Sequence, residues 1–384
     1  MEKGTFMEIG SIYEIDPGSV KSNDLEGTKE PVLPEINKYH KKNIAFMASG
    51  REAIAWALKS LETNMPGISK KCLMPAYMCD TVFYPFHNAG WELYFYHINE
   101  QMEAQEDTLR SLMKQVKPGL LFIHCYYGVD TWKPLRPLLK EWQSRGLFIM
   151  EDVTQSYYLA GAGREADYVI GSLRKWYPVP DGGFVASDLV LPHEELPVGQ
   201  DFAEKRLKML TRKWEYLYGV NQTESKPSMK ADYLKQNKEL EEWLDNLTQV
   251  HAISAISKGI LRNEEESSCR RQRGANYKVL YDAIKNRESI RHPFSEPGYD
   301  AAPLYFPVYA DDRDGLQEFL RAKDIYAPVL WPVGKQNAAY LSAEERYIFT
   351  HLLALPVDQR YGRKEMEKIA ELVNSYEMKE IADQ

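Results

Sequence analysis

Long apolar runs are missing from this chain. No segment approaches the roughly 18 unbroken apolar residues of a membrane-spanning helix. The opening MEKGTFMEIG also lacks the apolar run of a signal peptide, so a cytoplasmic protein is the expectation. Cysteine is scarce. The four, Cys72, Cys79, Cys125 and Cys269, form no C-x-x-C pair and no dense framework, which reads as reduced thiols packed as small apolar groups. The eight histidines show no H-E-x-x-H or other paired ligand spacing, so no metal site is expected. Positive charge is also short: 48 Lys and Arg face 56 Asp and Glu, a net charge of -8, which argues against a nucleic-acid partner. There is no internal repeat and no low-complexity tract.

What remains is a globular composition, 44% hydrophobic with 25 tyrosines and 8 tryptophans, suited to pockets that bind small molecules. Residues 1–42 mix Gly, Pro and charge without a sustained period and read as an arm that must lie on something else. From Ser49 the run SGREAIAWALKSL has helical apolar spacing, with Ser49 and Glu52 in a capping-box pattern. KCLMPAY, WELYFYHIN, GLLFIHCYYG, LFIMED, DYVIGS and GGFVAS then read as short strands, with helices near 106–117 and 134–145. Alternation of this kind predicts an α/β domain with a mainly parallel central sheet between helices. Helices are predicted over 202–218, 234–262 and 265–286. After PLYFPVYADD come a helix at 312–323, a strand IYAPVLWP and a helix at 363–376. The organisation expected is an arm (1–42), a large α/β domain (43–264) and a smaller C-terminal α+β domain (265–384).

Three stretches carry chemistry. Asp152 ends the strand LFIMED, where ligands of open parallel sheets bind. Lys175 follows another strand end and precedes a stiff Pro- and Gly-rich turn, WYPVPDGG. An Asp and a Lys so placed suit pyridoxal 5'-phosphate: the amine forms a Schiff base with the aldehyde, and the carboxylate pairs with the pyridine nitrogen. The N-terminus of the Ser49-Gly50-Arg51 helix offers free N–H groups to a phosphate. His124, at the end of its strand, reads as a structural histidine with satisfied hydrogen bonds, pocket lining being the other reading. GAGREA at 161–166 fits G-x-G-x-x-A, but strand-like DYVIGS follows where a dinucleotide site requires a helix.

In this order ASGREAIAWAL, PAYMCDTVFYPFHNAGWELYFYHIN, EDVTQSYY, KWYPVPDGGFVAS, RQRGANYKVL and LLALPVDQRYGRKEMEKIAELV resemble the DegT/StrS type of sugar-nucleotide aminotransferase, over about residues 44–376. The resemblance implies the fold-type I architecture of pyridoxal phosphate enzymes and a homodimer. It implies amino transfer from a donor such as glutamate to a keto acceptor, possibly a sugar nucleotide. It makes Lys175 the Schiff-base lysine and proton shuttle, Asp152 the partner of the pyridine nitrogen and Gln155 a contact of the ring hydroxyl. Gly50 and Arg51 take the phosphate, with Ser172 a further phosphate contact.

The chain also departs from the pattern. Ser172 precedes Lys175 by three residues where the family's serine precedes by five. Cys79 stands where an aromatic would stack on the ring, which leaves Tyr77 or another ring for that task. VHAIS at 250–254 replaces a segment whose asparagine reaches the neighbouring subunit's phosphate. The alternatives to amino transfer are another pyridoxal phosphate reaction, by a lyase or dehydratase, and a non-catalytic cofactor binder. Lys175 disfavours the family's dehydratases, which carry His there.

Overall fold

A computed structural model describes residues 8–20, 30–31, 33–219, 226–246, 249–294 and 302–377. The described chain opens with β1 (Ile9–Gly10), α1 (Pro34–Asn37) and β2 (Asn43–Met47), then α2 (Gly50–Asn64) and β3 (Lys71–Pro75). Next come α3 (Phe83–Asn88), β4 (Glu92–Tyr96), α4 (Glu106–Val116), β5 (Leu120–His124), α5 (Arg136–Gln143), β6 (Phe148–Asp152), β7 (Tyr168–Ser172) and β8 (Gly183–Ser187). Strands β2 to β8 form one seven-stranded sheet in the order β2-β8-β7-β6-β5-β3-β4. Neighbours are parallel from β7 to β4, while β8 runs antiparallel to both β7 and β2.

The apolar runs are continuous because both sheet faces are covered. Alternate residues part into two cores. Leu121, Ile123, Ile149 and Val169 face a layer rich in Tyr and Trp. Leu120, Phe122, Met150 and Ile170 face the apolar side of α2, with Ile54, Trp56, Leu58 and Leu61.

Beyond the sheet lie α6 (Gln200–Tyr218), α7 (Lys226–Asp245), α8 (Ala255–Arg262) and α9 (Glu266–Ala283). The helix expected over 234–262 is thus two helices. Residues 250–253 leave the helical path to dock on the edge of β2, where Ala48 N–H donates to His251 O at 3.0 Å and Ile253 N–H to Phe46 O at 3.2 Å. The open edge of β2 outcompetes helical propensity, and Ser254 then caps α8.

A three-stranded antiparallel sheet of β9 (Ile290–Arg291), β10 (Tyr305–Ala310) and β12 (Leu352–Pro356) packs with α10 (Arg313–Arg321), α11 (Ala343–His351) and α12 (Arg363–Ser375). The strand expected over IYAPVLWP is only β11 (Ile325–Tyr326); Pro328 and Pro332 remove the donors a longer ladder needs. β1 pairs in parallel with β11 as a separate two-stranded sheet, and Ile9 packs in one cluster with Phe306, Val308, Leu353 and Leu355 of the small sheet. Residues 1–7, 21–29 and 32 of the expected arm lie outside the described residues.

Candidate active site

The carboxyl ends of β5, β6 and β7 set His124, Asp152 and Ser172 along one edge of the sheet. His124 is in register with Asp152, and Ser172 with Gly183 of β8. Gly183 is in turn opposite Met47, two residues before Ser49.

The N-terminus of α2 comes to the same edge. A Cβ on Gly50 would meet the Ser172 Cβ at 3.3 Å, so strand end and helix start are in contact. Ser49 Oγ accepts the Glu52 N–H at 3.3 Å. The expected capping box is only half formed, because the Glu52 carboxylate accepts the Ser49 hydroxyl at 2.6 Å and both the backbone N–H and Nδ1 of His251 at 3.0 and 2.9 Å. The N–H groups of Gly50 and Arg51 have no protein acceptor among the described residues. The guanidinium of Arg51 turns away from them and pairs with Asp245 of α7.

Asp152 is 5% exposed. Its Oδ1 accepts the Thr154 N–H at 2.8 Å, and its Oδ2 lies 3.6 Å from His124 Nδ1, too long for a hydrogen bond. Among the described residues no donor reaches Oδ2. Gln155 is as deeply buried, and its Oε1 accepts the N–H of Tyr127 at 2.9 Å. Tyr127 has φ +51°, a left-handed conformation uncommon for a bulky residue, which Gln155 holds in place. The Gln155 amide nitrogen is left without a protein partner among the described residues.

Lys175 ends a single helical turn after β7. Its neighbours explain the stiffness of the segment. Trp176 Nε1 donates to Thr154 O at 2.9 Å, and Tyr13 of the arm and Gln359 donate to Trp176 O at 2.9 and 2.8 Å. The buried Arg273 guanidinium stacks on the Trp176 ring at 4.7 Å. The amine itself carries no hydrogen bond or ion pair among the described residues. It borders a cavity of about 780 Å³ shared with Arg174, Arg206, Asn237, Glu241 and Tyr326. The side chain is exposed to that cavity, but the protein atoms ringing the amine still desolvate it; this, then the nearby Arg174 and Arg206, lower its pKa, while Glu241 and Cys79 pull the other way.

The two candidates for stacking sit differently. Cys79 is half-buried with its Sγ 3.2 Å from Thr81 Oγ1. Tyr77 is buried in an aromatic cluster, with ring centroids 4.7 Å from Phe349, 5.0 Å from Trp331 and 5.5 Å from Tyr126. Trp331 and Tyr126 also flank His124, at 5.9 and 4.8 Å. Sequence reasoning missed Trp331, since nothing in LWP marks it as reaching the end of β5. His124 is corrected: it is 1% exposed and neither ring nitrogen has a hydrogen-bond partner among the described residues, so it is not a satisfied structural histidine.

No protein-family model matches the chain, and no curated protein matches it by sequence. Its fold is similar to that of several solved structures. The sugar aminotransferase CalS13 from Micromonospora echinospora matches with a TM-score of 0.63 and 15% identity, over 96% of this chain and 99% of that one. NtdA from Bacillus subtilis, solved with bound cofactor PMP, matches with a TM-score of 0.60 and 16% identity, over 96% and 86%. A DegT DnrJ EryC1 StrS aminotransferase from Brucella abortus matches with a TM-score of 0.55 and 14% identity, over 90% and 91%. The chain therefore has the fold-type I architecture expected from its sequence.

Proposed function

We propose that the chain is a pyridoxal 5'-phosphate-dependent aminotransferase that moves an amino group from a donor such as glutamate to a keto sugar carried on a nucleotide. One observation carries this reading: the sheet edge, and the turn that follows β7, hold groups without protein partners among the described residues, and these are the ones this cofactor needs. Asp152 Oδ2 is free to hold the proton of a pyridine nitrogen. The Gln155 amide is free for a ring hydroxyl, the Gly50 and Arg51 N–H groups and the Ser172 hydroxyl for a phosphate, the Ser172 N–H being held by Thr154 Oγ1 at 3.1 Å, and the Lys175 amine for an aldehyde. Arg51 serves through its backbone, since its side chain is engaged elsewhere.

When bound, the cofactor supplies an electron sink that makes the α-hydrogen of an amino acid acidic. The chain's own task is to place a base there. Lys175, with its lowered pKa, presents a neutral amine closer to physiological pH than an ordinary lysine and moves the proton at the donor's α-carbon. The PMP bound to NtdA and the sugar substrate class named for CalS13 support the reading by analogy of fold.

The same reading includes a homodimer, a large cofactor domain over 43–264 and a small domain over 265–384. It places the reaction in the cytoplasm, in keeping with four free cysteines. No described helix is long and apolar enough to cross a membrane.

Incubation with pyridoxal phosphate tests it: a visible Schiff-base band at about 410–430 nm should form, vanish on adding glutamate and be absent from Lys175→Ala. A band left unchanged by glutamate and by every other amino donor tried rejects amino transfer; a band retained in Lys175→Ala rejects the lysine.

A further inference from the structure

Lys175 shares its cavity with a charge cluster to which the proposed chemistry gives no contact with substrate. Arg174 and Arg206 have side chains only 8% exposed, and both bind Glu241 of α7, which is 41% exposed. Arg174 donates to it through Nη1 at 2.9 Å and Nη2 at 3.5 Å, Arg206 through Nη1 at 2.8 Å. Arg51 adds a third cation at 4.0 Å from the same carboxylate. Two nearly buried guanidinium groups therefore share one accessible carboxylate.

The sharing is incomplete. Among the described residues the Nε–H donors of Arg174 and Arg206 are buried without acceptors, and so is Asn237 Oδ1 without a donor. Buried donors of this kind are rare and costly, more so on a charged group. Burial and the neighbouring Arg174 push the Arg206 pKa down to about 10 even with Glu241 present. The Glu241 carboxylate keeps 41% exposure yet is partly desolvated by the protein around it, and Arg174 and Arg206, with Lys175, outweigh that cost and hold it well below the usual range. It satisfies itself better than it satisfies them.

We propose that Arg174 and Arg206 receive an oxyanion of the substrate, and that Glu241 is the internal anion the substrate displaces. The forked guanidinium binds carboxylate or phosphate oxygens in pairs, and the cavity brings either within reach of Lys175. The inference rests on the aminotransferase reading, which offers two sources of such an anion: the carboxylates of the amino donor and the diphosphate of the acceptor.

Calorimetry on the pyridoxal phosphate-loaded protein tests it, with glutarate as the dicarboxylate probe and uridine diphosphate as the diphosphate probe. At least one probe should bind, and the one that does identifies the source. Arg206→Gln should weaken that binding about ten-fold or more, the cost of one charge-assisted pair, and Arg206→Lys should recover part of it. Glu241→Gln should tighten it by about as much. Binding of neither probe, or affinities within two-fold of wild type in Arg206→Gln and Glu241→Gln, overturns the proposal. If Arg206→Gln fails to fold, Glu241→Gln at its exposed helical position decides alone, unchanged affinity overturning the site. The Schiff-base band is recorded on the same samples. A band with unmoved affinities defeats only the anion site, whereas affinities that move as expected without a band defeat the aminotransferase reading and keep the anion site.

Discussion

Gly183 lies against Ser49 so closely that a Cβ added to it would meet the Ser49 carbonyl carbon and oxygen at 2.4 Å and the Gly50 nitrogen at 2.6 Å. The Gly182-Gly183 pair is thus two requirements in one turn. Gly182 has φ +143°, which favours glycine, and Gly183 lets β8 touch the backbone that opens α2. Gly182 N–H donates to Ala48 O at 2.7 Å and Leu173 N–H to Gly182 O at 3.0 Å, stitching the helix start to the segment that carries Lys175.

Gly183→Ala should therefore move the proposed phosphate cradle. Backbone cannot yield as a side-chain tip does, so a stability loss of about 1–3 kcal/mol is expected, with weaker pyridoxal phosphate binding. Gly199→Ala is the control, because its new Cβ would find nothing nearer than 3.7 Å. Urea midpoints and cofactor titrations of the two variants should separate clearly; equal behaviour would reject the close-contact account.

Asp181 gives a pH signature. It is 0% exposed and accepts the Ser254 N–H at 2.9 Å and Oγ–H at 2.7 Å, with the Ser257 hydroxyl as a third donor. Burial raises its pKa from 3.8 to about 6 despite those donors. A raised acid binds more protons folded than unfolded between about pH 4 and 6, so stability should fall as pH rises through that window, by roughly 3 kcal/mol in all. Asp181→Asn costs stability at low pH, where the wild type is neutral too, but should lack this fall. Denaturation curves of both proteins at pH 4.5 and 7 decide it, and parallel losses would remove Asp181 as the cause.

The candidate site was legible in the sequence where apolar runs end in polar residues. Asp152, Ser172 and Lys175 follow such runs, and a parallel sheet collects strand ends at one edge. The break between α7 and α8 was not legible, because residues 250–253 are drawn out of helix by hydrogen bonds to β2, some 200 residues earlier in the chain. Glu241 was hidden for a similar reason: it lies on an otherwise ordinary exposed helical face, and only tertiary packing brings it to Arg174 and Arg206. The two glycines were legible as a stiff turn, whereas the second one's contact with Ser49 appears only in three dimensions.

Arg273 is a positioning residue for the lysine turn. It donates through Nε to Gln359 Oε1 at 2.8 Å, through Nη1 to Pro303 O and Leu304 O at 3.3 and 3.2 Å, and through Nη2 to Tyr13 Oη at 2.6 Å, while stacking on Trp176. Arg273→Met keeps bulk and loses all of this, at a cost of about 2–4 kcal/mol. Formation of the Schiff-base band should slow while the donor KM changes little, since the arginine acts through Trp176 on Lys175. Arg273→Lys keeps the charge without the fork and should recover only part of the rate. A variant that is merely less stable, with band formation at the wild-type rate, would reduce Arg273 to a structural role.

His124 offers the sharpest separation of stability from function. Both of its ring nitrogens are buried without partners among the described residues, and such groups cost stability that an apolar ring of similar shape does not. If the imidazole is kept for a ligand beside Asp152, His124→Phe should stabilise the cofactor-free protein by about 1 kcal/mol and weaken pyridoxal phosphate binding. A histidine needed for packing alone predicts the reverse: lower stability and unchanged cofactor affinity. Thermal unfolding of the cofactor-free variant, read with a cofactor titration, tells these apart, because the two outcomes differ in sign on both axes.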